Sequence, residues 1–378
     1  MCGCLLCASV GPAFGRPVPS SPASASALVR SFPAMSAGTM AFGETGPAGT
    51  NALTDTLPRA AAPAALREAL PAYFEAVEKA GHDLHSLMVV QHGQVVAERW
   101  MGEGAPDKPH VLHSVSKTFT ATAIGFAVAE GKLKVTDPVV SFFPERLPAT
   151  VGPRLKKMEI RHLLTMSTGH DVDPTDRVRA VEGADWVEGF LAAPLEYEPG
   201  TLHVYNSLAT YMLSAIIQRV TGEKVIDYLA PRLFQPLGIE GVTWEESPQG
   251  INCGGWGLYV KTEDMAKLGQ FLLQKGCWNG QQLLPASWIE EASASKIDSY
   301  PAGVKKETLT MKPEDSDWLQ GYGYQMWRCR HQAFRADGAY GQFIVILPEK
   351  DAVIVTTAHI GDMQAELNLI WEYLLPAL

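Results

Sequence analysis

The segment His113–Gly131, HSVSKTFTATAIGFAVAEG, begins with the tetrad Ser114-Val115-Ser116-Lys117 and continues as an apolar helix. On a helix, residues i and i+3 share one face with Cβ atoms about 5–6 Å apart, so the Ser114 hydroxyl and the Lys117 amine become neighbours. A serine hydroxyl is a weak nucleophile that needs an adjacent base. Lysine is a base only when neutral, which requires its pKa to fall by about three units from ~10.4, and burial lowers it. The tetrad therefore predicts an activated serine.

The tetrad is a weak signal when it stands alone, because the chain contains a second copy. Ser293-Ala294-Ser295-Lys296 also fits S-x-x-K, but it ends a polar helix and no apolar helix follows it. We interpret that copy as chance. For Ser114 the alternative is a plain helix N-cap. The apolar helix after Ser114 is what separates the two copies.

Two further segments carry polar groups at element boundaries. Tyr205-Asn206-Ser207 precedes a helix predicted over 206–221, where a tyrosine alone indicates packing. Ala336-Asp337-Gly338-Ala339-Tyr340-Gly341-Gln342 leads into a strand predicted over Phe343–Leu347. A glycine at a strand marks either the close approach of a ligand or backbone, or a bulge.

In this order the three segments resemble the superfamily of class C β-lactamases, D-alanyl-D-alanine peptidases and esterases, in which S-x-x-K is an established motif. His162–Gly169, Pro236–Ile239 and Gly254–Ala266 carry the same resemblance. It extends from about residue 60 to the C-terminus.

The resemblance implies a role for each residue of the site. Ser114 would be the nucleophile and Lys117 its activator. Tyr205 would be the general base for attack and the general acid toward the leaving group, in surroundings that favour the phenolate. The backbone N–H groups of Ser114 and Ala339 would form the oxyanion hole. The resemblance implies no metal and no cofactor.

Two positions depart from the family pattern. Ser207 stands where the Tyr-x-Asn motif has asparagine, and Ala336-Asp337-Gly338 replaces the Lys-Thr-Gly of β-lactamases. We treat these four residues as substrate-binding or supporting positions. Without the lysine, the cation that binds a substrate carboxylate is missing. The prediction is an esterase-like hydrolase that acts on a small ester or amide through an acyl-enzyme.

Alternative functions stay open at this stage. One is a β-lactamase or D-amino-acid peptidase whose cation is Arg335 or His331. Another is a catalytically silent, penicillin-binding-like protein that binds ligands or cell-wall fragments. The sequence contains no G-x-S-x-G, H-E-x-x-H or P-loop motif. His113 and His203 flank the predicted site, and we expect both to be packed or solvent-facing.

The order of the elements predicts an α/β (α+β) fold of the β-lactamase/transpeptidase type. Strand patterns at 85–100 and 321–358 lie at the two ends of the chain, and a mainly helical lobe is predicted between about 140 and 300. We expect one antiparallel sheet flanked by helices, completed by both ends of a catalytic domain covering 55–378. A helix at 63–80 and another at 363–375 would cover the sheet.

Composition restricts the partners. The formal charge is 31 − 41 = −10, which opposes binding to nucleic acid. No apolar stretch reaches the length of a membrane span. Residues 1–50 are a low-complexity segment predicted to be disordered, and its Cys4-x-x-Cys7 lacks a second ligand pair. We expect a cytoplasmic monomer that binds a small-molecule ester, amide or β-lactam, and a secretory N-terminus is the alternative.

Overall fold

The structure is a computed structural model, and it describes residues 56–301, 304, 308, 309 and 311–378. The predicted tail, residues 1–50, lies outside this range. The helices are α1 Ala64–Lys79, α2 Ser116–Ala129, α3 Pro153–Lys157, α4 Ile160–Leu164, α5 Thr175–Arg179, α6 Trp186–Ala192, α7 Ser207–Thr221, α8 Val225–Leu229, α9 Thr262–Leu273, α10 Ala286–Ser293 and α11 Met363–Leu369. The strands are β1 Leu84–Gln91, β2 Gln94–Trp100, β3 His110–Val111, β4 Thr243–Trp244, β5 Leu258–Val260, β6 Cys277–Trp278, β7 Gln281–Gln282, β8 Trp327–Arg328, β9 Phe334–Gly338, β10 Gln342–Leu347 and β11 Ala352–Ala358.

Both ends of the described chain build the main sheet. Its six strands run in the order β2-β1-β11-β10-β9-β8, and each pair of neighbours is antiparallel. Met88 on β1 stands opposite Val355 on β11, which joins strands far apart in sequence. A smaller sheet, β3-β5-β4, lies near the start of α2. The predicted antiparallel sheet completed by both chain ends is confirmed.

The main sheet is buried on both faces because helices cover each side. One face packs against the helical lobe and contributes Met88, Val90, Ile344 and Val353 to the larger core. The opposite face packs against α1 and the C-terminal helix, by which we mean α11 together with the helical turns Ile370–Leu374 that continue it. These helices contribute the following apolar residues to the second core: Leu66, Leu70, Leu367, Trp371 and Leu374. Every residue of β1 and β11 is buried. The sheet is thus a middle layer.

One strand prediction was wrong in detail. The aromatic alternation over 321–329 predicts a strand, but only Trp327–Arg328 forms one. Gly321 and Gln325 have φ of 101° and 59°, which a β-strand does not accommodate. A separate strand, β9, precedes β10 and covers Phe334–Gly338. The sequence pattern predicted this segment only as the connection that leads into the strand at Phe343.

The nucleophile candidate lies in a tight turn that leads into its helix. His113–Val115 form a 3₁₀ turn, and the α-helix begins at Ser116. Ser116 fastens this turn, because its hydroxyl donates to the His113 carbonyl at 2.6 Å and accepts from the Leu258 N–H at 3.2 Å. The turn bearing Ser114 is thereby attached to β5. Among the described residues, no helix is both long and apolar enough to cross a bilayer.

Candidate active site

Ser114 and Lys117 are hydrogen-bonded at the start of α2. The Lys117 ammonium nitrogen lies 3.0 Å from Ser114 Oγ, 3.2 Å from Ser207 Oγ and 2.6 Å from the Gly255 carbonyl oxygen. Three oxygens therefore fix the amine on one side of the serine. Lys117 is 1% exposed, so its amine is shielded from solvent.

Burial changes the protonation of Lys117. Loss of solvation lowers its pKa to about 7, while the charges of Asp173 and Asp337 act in the opposite direction and raise it. A lysine in water has a pKa near 10.5 and is almost wholly charged at neutral pH. Here a large fraction of Lys117 is the free amine near pH 7. The site thus contains a base within hydrogen-bonding distance of a serine hydroxyl.

Tyr205 packs between Lys117 and two aromatic side chains, Trp327 and Tyr322. Its ring stacks on Trp327 at 5.7 Å between centroids and meets Tyr322 edge-on, and Lys117 Nζ lies 4.9 Å from its centroid. Burial raises the pKa of Tyr205 above its ordinary value, and a hydrogen bond with Ser114 offsets only part of the effect. The expected phenolate-favouring surroundings are not found. The tyrosine is a neutral phenol beside an amine that is partly uncharged near pH 7.

The start of α7 presents Tyr205 and Ser207, and neighbouring loops hold it. Asn206 caps the helix, since its Oδ1 accepts from the Ala209 N–H at 3.0 Å. The side-chain nitrogen Nδ2 of Asn206 lies 3.3 Å from His170 Nδ1. The backbone N–H of Asn206 donates to Met166 Sδ, also at 3.3 Å. The middle residue of Tyr-Asn-Ser is therefore structural, and the two outer residues face Lys117.

The end of β9 passes directly beside the turn that carries Ser114. A Cβ at Gly338 would overlap the Leu112 carbonyl oxygen and stand 3.2 Å from the Val115 nitrogen. Only glycine permits this approach. Of the two interpretations of a glycine at this strand, the close approach of backbone is therefore the one observed. Ser114 and Ala339 are the chain neighbours of the residues in contact. The two N–H groups predicted to form an oxyanion hole thus lie on adjoining backbone segments.

Within the described ranges, no cation near the triplet Ala336-Asp337-Gly338 on β9 is free to bind a substrate carboxylate. Ala336 is fully buried on the lobe side of the sheet, paired with Ile344. Asp337 accepts from Arg335 Nε at 2.7 Å, and Arg335 is itself 0% exposed. Arg335 Nη1 donates to the Asp317 carbonyl at 2.8 Å, whereas Nη2 has no partner among the described residues. Arg335 is thus a buried counterion of Asp337.

Other residues singled out by the sequence lie elsewhere or are inert. His331 packs on Trp371 of the C-terminal helix, on the outer side of the sheet. In the second tetrad, Ser293 is the last residue of α10, and Lys296 pairs with Glu291 at 3.4 Å. Burial lowers the pKa of His113 and of His203 to about 4, so both are neutral packing residues near pH 7.

Sequence reasoning missed three residues that contact the site. Gly255 supplies the shortest hydrogen bond to Lys117, and Trp327 supplies the surface on which Tyr205 stacks. Asp173 accepts from the Ser207 N–H at 2.9 Å. Gly255 lay within a family-like segment and Trp327 within an aromatic strand pattern, but neither carried a chemical signal. Asp173 lay in a loop without periodicity.

Among the described residues, no group of three or more histidine, cysteine, aspartate or glutamate side chains is arranged to hold a metal ion. The arrangement at Ser114 combines a hydroxyl, a buried amine with a lowered pKa, a neutral phenol and two adjoining backbone segments. Such a set can transfer an acyl group to serine and move protons to and from it.

Comparison with known proteins gives the same answer over most of the chain. The family model described as Beta-lactamase matches residues 75–375. The 6-aminohexanoate-dimer hydrolase of Paenarthrobacter ureafaciens is 26% identical over 307 residues, covering 77% of this chain and 76% of that protein. Esterase EstB of Burkholderia gladioli is 29% identical over 175 residues, covering 40% and 44%.

The fold is shared with solved structures. A penicillin-binding protein homologue from Caulobacter crescentus superposes with a TM-score of 0.65 and 16% identity, covering 84% of this chain and 99% of that one. This likeness confirms the fold class predicted from the order of elements. With the family match, it shows that the chain belongs to the β-lactamase family of serine hydrolases.

Proposed function

We propose that the protein hydrolyses a small ester or amide through an acyl-enzyme on Ser114, with a carboxylesterase-like preference for uncharged esters. The observation that carries the proposal is the 3.0 Å contact between Lys117 Nζ and Ser114 Oγ, together with the fall of the Lys117 pKa to about 7. A general base works best when its pKa is near the working pH.

The side chains define a sequence of proton transfers. Lys117 takes the proton of Ser114 as the oxygen attacks the substrate carbonyl. The N–H groups of Ser114 and Ala339 would stabilise the resulting oxyanion. The neutral Tyr205 phenol donates its proton to the leaving group as the carbonyl–leaving-group bond breaks, and the Lys117 ammonium restores the proton on Tyr205. Water then attacks the ester that joins the acyl group to Ser114, and it passes a proton to Lys117. Lys117 returns this proton to Ser114 as the serine oxygen departs.

The ester preference follows from the position occupied by Ala336. A β-lactam or D-alanyl peptide brings a carboxylate into the cleft, and burying that charge without a partner is unfavourable. Arg335, the nearest described cation along β9, is buried and paired with Asp337. Charge-assisted hydrogen bonds contribute about 1.5–3 kcal/mol, so such substrates should lose around ten- to a hundredfold in kcat/KM. An uncharged ester loses nothing.

Amide hydrolysis is the second candidate, and a specific similarity favours it. The 6-aminohexanoate-dimer hydrolase is alike over three quarters of both chains. The name of that relative gives a dimer of 6-aminohexanoate as its substrate, and an amide bond is what joins two amino acids. A neutral Tyr205 beside Lys117 suits an amide as well, because an amine leaving group must be protonated before it departs.

One set of assays tests both candidates. The protein is treated with a fluorophosphonate and the labelled peptide is mapped by mass spectrometry, and Ser114→Ala is treated in parallel. We expect one adduct, on Ser114, that is absent from the variant. Initial rates are then compared for p-nitrophenyl butyrate, a chromogenic cephalosporin and a linear amide.

Each outcome has a defined meaning. An adduct on Ser116 or Ser293, or unchanged turnover in Ser114→Ala, would overturn the acyl-enzyme. A higher kcat/KM for the cephalosporin than for every ester would overturn the substrate preference and leave the nucleophile standing. A higher value for the linear amide would select the second candidate.

A further inference from the structure

Asp173 has both carboxylate oxygens occupied at the edge of the site. Oδ2 accepts from the Ser207 N–H at 2.9 Å, while Oδ1 accepts from the backbone N–H of Thr175 at 2.9 Å and from its hydroxyl at 2.5 Å. Thr175 is buried, and Asp173 is half-buried. The carboxylate is therefore fixed in place and does not turn freely into solvent.

The partner of Asp173 is the first residue of a long helix. The leading N–H groups of a helix have no partner within the helix, and a negative charge at this end also interacts favourably with the helix dipole. Asp173 satisfies the first of these groups in the 15-residue helix α7. The same residue, Ser207, offers its hydroxyl oxygen to Lys117 at 3.2 Å. Asp173 thus holds one of the three oxygens that aim the amine.

The charge of Asp173 also acts on Lys117. Burial is the largest influence on this lysine and disfavours its ammonium form, and Asp173 is the foremost influence in the other direction. The charged and titratable groups facing Lys117 are Tyr205 from the loop before α7, Asp337 from β9 and His113 from the 3₁₀ turn. Asp337 already has Arg335 as its counterion, whereas Asp173 forms no ion pair within the described part of the chain.

We propose that Asp173 is a positioning residue for acyl transfer. It holds the start of α7 so that Ser207 keeps Lys117 aimed at Ser114, and its charge stabilises the ammonium that forms when Lys117 takes the serine proton. This role rests on the proposed function. It assigns to the 170–175 loop a part in setting the pH at which the enzyme works.

The test is the pH profile of kcat/KM for p-nitrophenyl butyrate, measured on full-length Asp173→Asn. Asparagine is similar in size and keeps one acceptor, but it removes the charge. On the acid side of the profile kcat/KM falls as Lys117 becomes protonated, and we call this part of the curve the acid limb. Without the charge of Asp173 the ammonium loses stabilisation, so the acid limb near pH 7 should move to lower pH by roughly half a unit to one unit. We expect kcat to fall roughly 5- to 50-fold because the Ser207 contact weakens.

Two further variants separate charge from structure. Asp171→Asn removes an exposed carboxylate of the same loop and should leave both the limb and kcat unchanged. Thr175→Val keeps the charge but loses one hydrogen bond to Asp173, so kcat should fall a few-fold without a shift of the limb.

The proposal is overturned if the Asp173→Asn limb coincides with that of the unmodified protein, or if Thr175→Val shifts the limb as far. Should Asp173→Asn not fold, a shifted limb in Thr175→Val decides against the proposal and an unshifted limb supports it. Ser114→Ala distinguishes failure of the positioning role from failure of the proposed function. If Ser114→Ala is inactive and the Asp173→Asn profile is normal, only the positioning role fails. If Ser114→Ala is active, the proposed function itself fails.

Discussion

Lys117 and Asp317 are both buried ionisable side chains, and their surroundings treat the charge in opposite ways. Lys117 has only hydroxyl and carbonyl oxygens as direct partners, and burial lowers its pKa to about 7. For Asp317, burial alone would raise the pKa, but hydrogen bonds from Arg330 and the charge of Arg335 lower it to about 2. One charge is disfavoured by its site, and the other is strongly stabilised.

The difference separates a reactive region from a structural one. Asp317 Oδ2 accepts from Arg330 Nη2, Gln364 Nε2 and Trp371 Nε1, each at 2.8 Å, which joins the segment before β8 to the C-terminal helix. A charge satisfied in this way fixes the scaffold and does no chemistry. A base needs the reverse, a buried amine whose proton is held weakly enough to be exchanged.

The strongest test of this contrast is Lys117→Met. Removing the base should lower kcat by about 10³-fold or more, because the residues of the site act as a unit. Stability should change in the opposite direction: replacing a disfavoured buried charge by an apolar side chain of similar volume is expected to stabilise the fold by about 1–3 kcal/mol below pH 7. Activity assays and urea unfolding at pH 6 measure the two effects.

Lys267→Met is the matched control. Lys267 is also buried, but Asp264 is its counterion at 3.2 Å. The substitution leaves that carboxylate unpaired and should destabilise the protein. If Lys117→Met destabilises the fold as much as Lys267→Met does, the contrast between the two kinds of buried lysine is wrong.

Tyr205→Phe tests the phenol separately from its ring. The ring keeps its stacking on Trp327, while the hydroxyl that serves the leaving group is lost. We expect kcat to fall roughly 10²–10³-fold with an unchanged melting temperature. Combined with Lys117→Met, the loss should be much smaller than the product of the single losses. Turnover near that of the unmodified protein would mean that Tyr205 only packs.

Asp317→Asn tests the structural region. Breaking a buried ion pair by removing one partner costs about 3–5 kcal/mol, so the midpoint of urea unfolding should fall markedly. The kcat of the folded fraction should change less than about threefold. Asp315→Asn, an exposed position two residues earlier, serves as the control and should have no effect. A large kcat loss in Asp317→Asn at full folding would show that this region takes part in catalysis.

The acid dependence of stability sharpens the same point. The pKa of Asp317 is lowered from 3.8 to about 2 on folding, so its contribution is complete above pH 4 and is lost as pH falls from 4 to 2. This amounts to about 2 kcal/mol. Over this interval the unmodified protein should lose that much more stability than Asp317→Asn. Parallel curves of unfolding free energy against pH would contradict the lowered pKa.

The smallest expected effect belongs to the second S-x-x-K copy. Ser293 ends α10, and Lys296 interacts with Glu291 instead of with Ser293. Ser293→Ala should leave fluorophosphonate labelling and kcat within about twofold of the unmodified protein. A marked loss of labelling would show that context does not distinguish the two copies.

Local pattern was enough to predict the main sheet and the helix that carries Ser114 and Lys117, and it was not enough to predict the electrostatics of the site. The i, i+3 spacing of Ser114 and Lys117 is a property of the helix, so their contact followed from the sequence. The burial of Tyr205 among Trp327 and Tyr322 depends on three segments meeting, and the expected phenolate-favouring surroundings were therefore wrong. Asp173 was missed for the same reason, since its partner Ser207 is 34 residues away.

The pairing of β1 with β11 determines when the molecule can be assembled during its synthesis. At 5–20 residues per second, the ribosome takes roughly 10–50 s to make the chain between these strands. Throughout that interval β1 lacks β11, the strand that covers one of its edges in the folded protein. An exposed apolar strand edge invites pairing with other chains. A premature stop codon just before residue 352 would leave a polypeptide that contains Ser114, Lys117 and Tyr205 and still lacks the strand that completes the sheet.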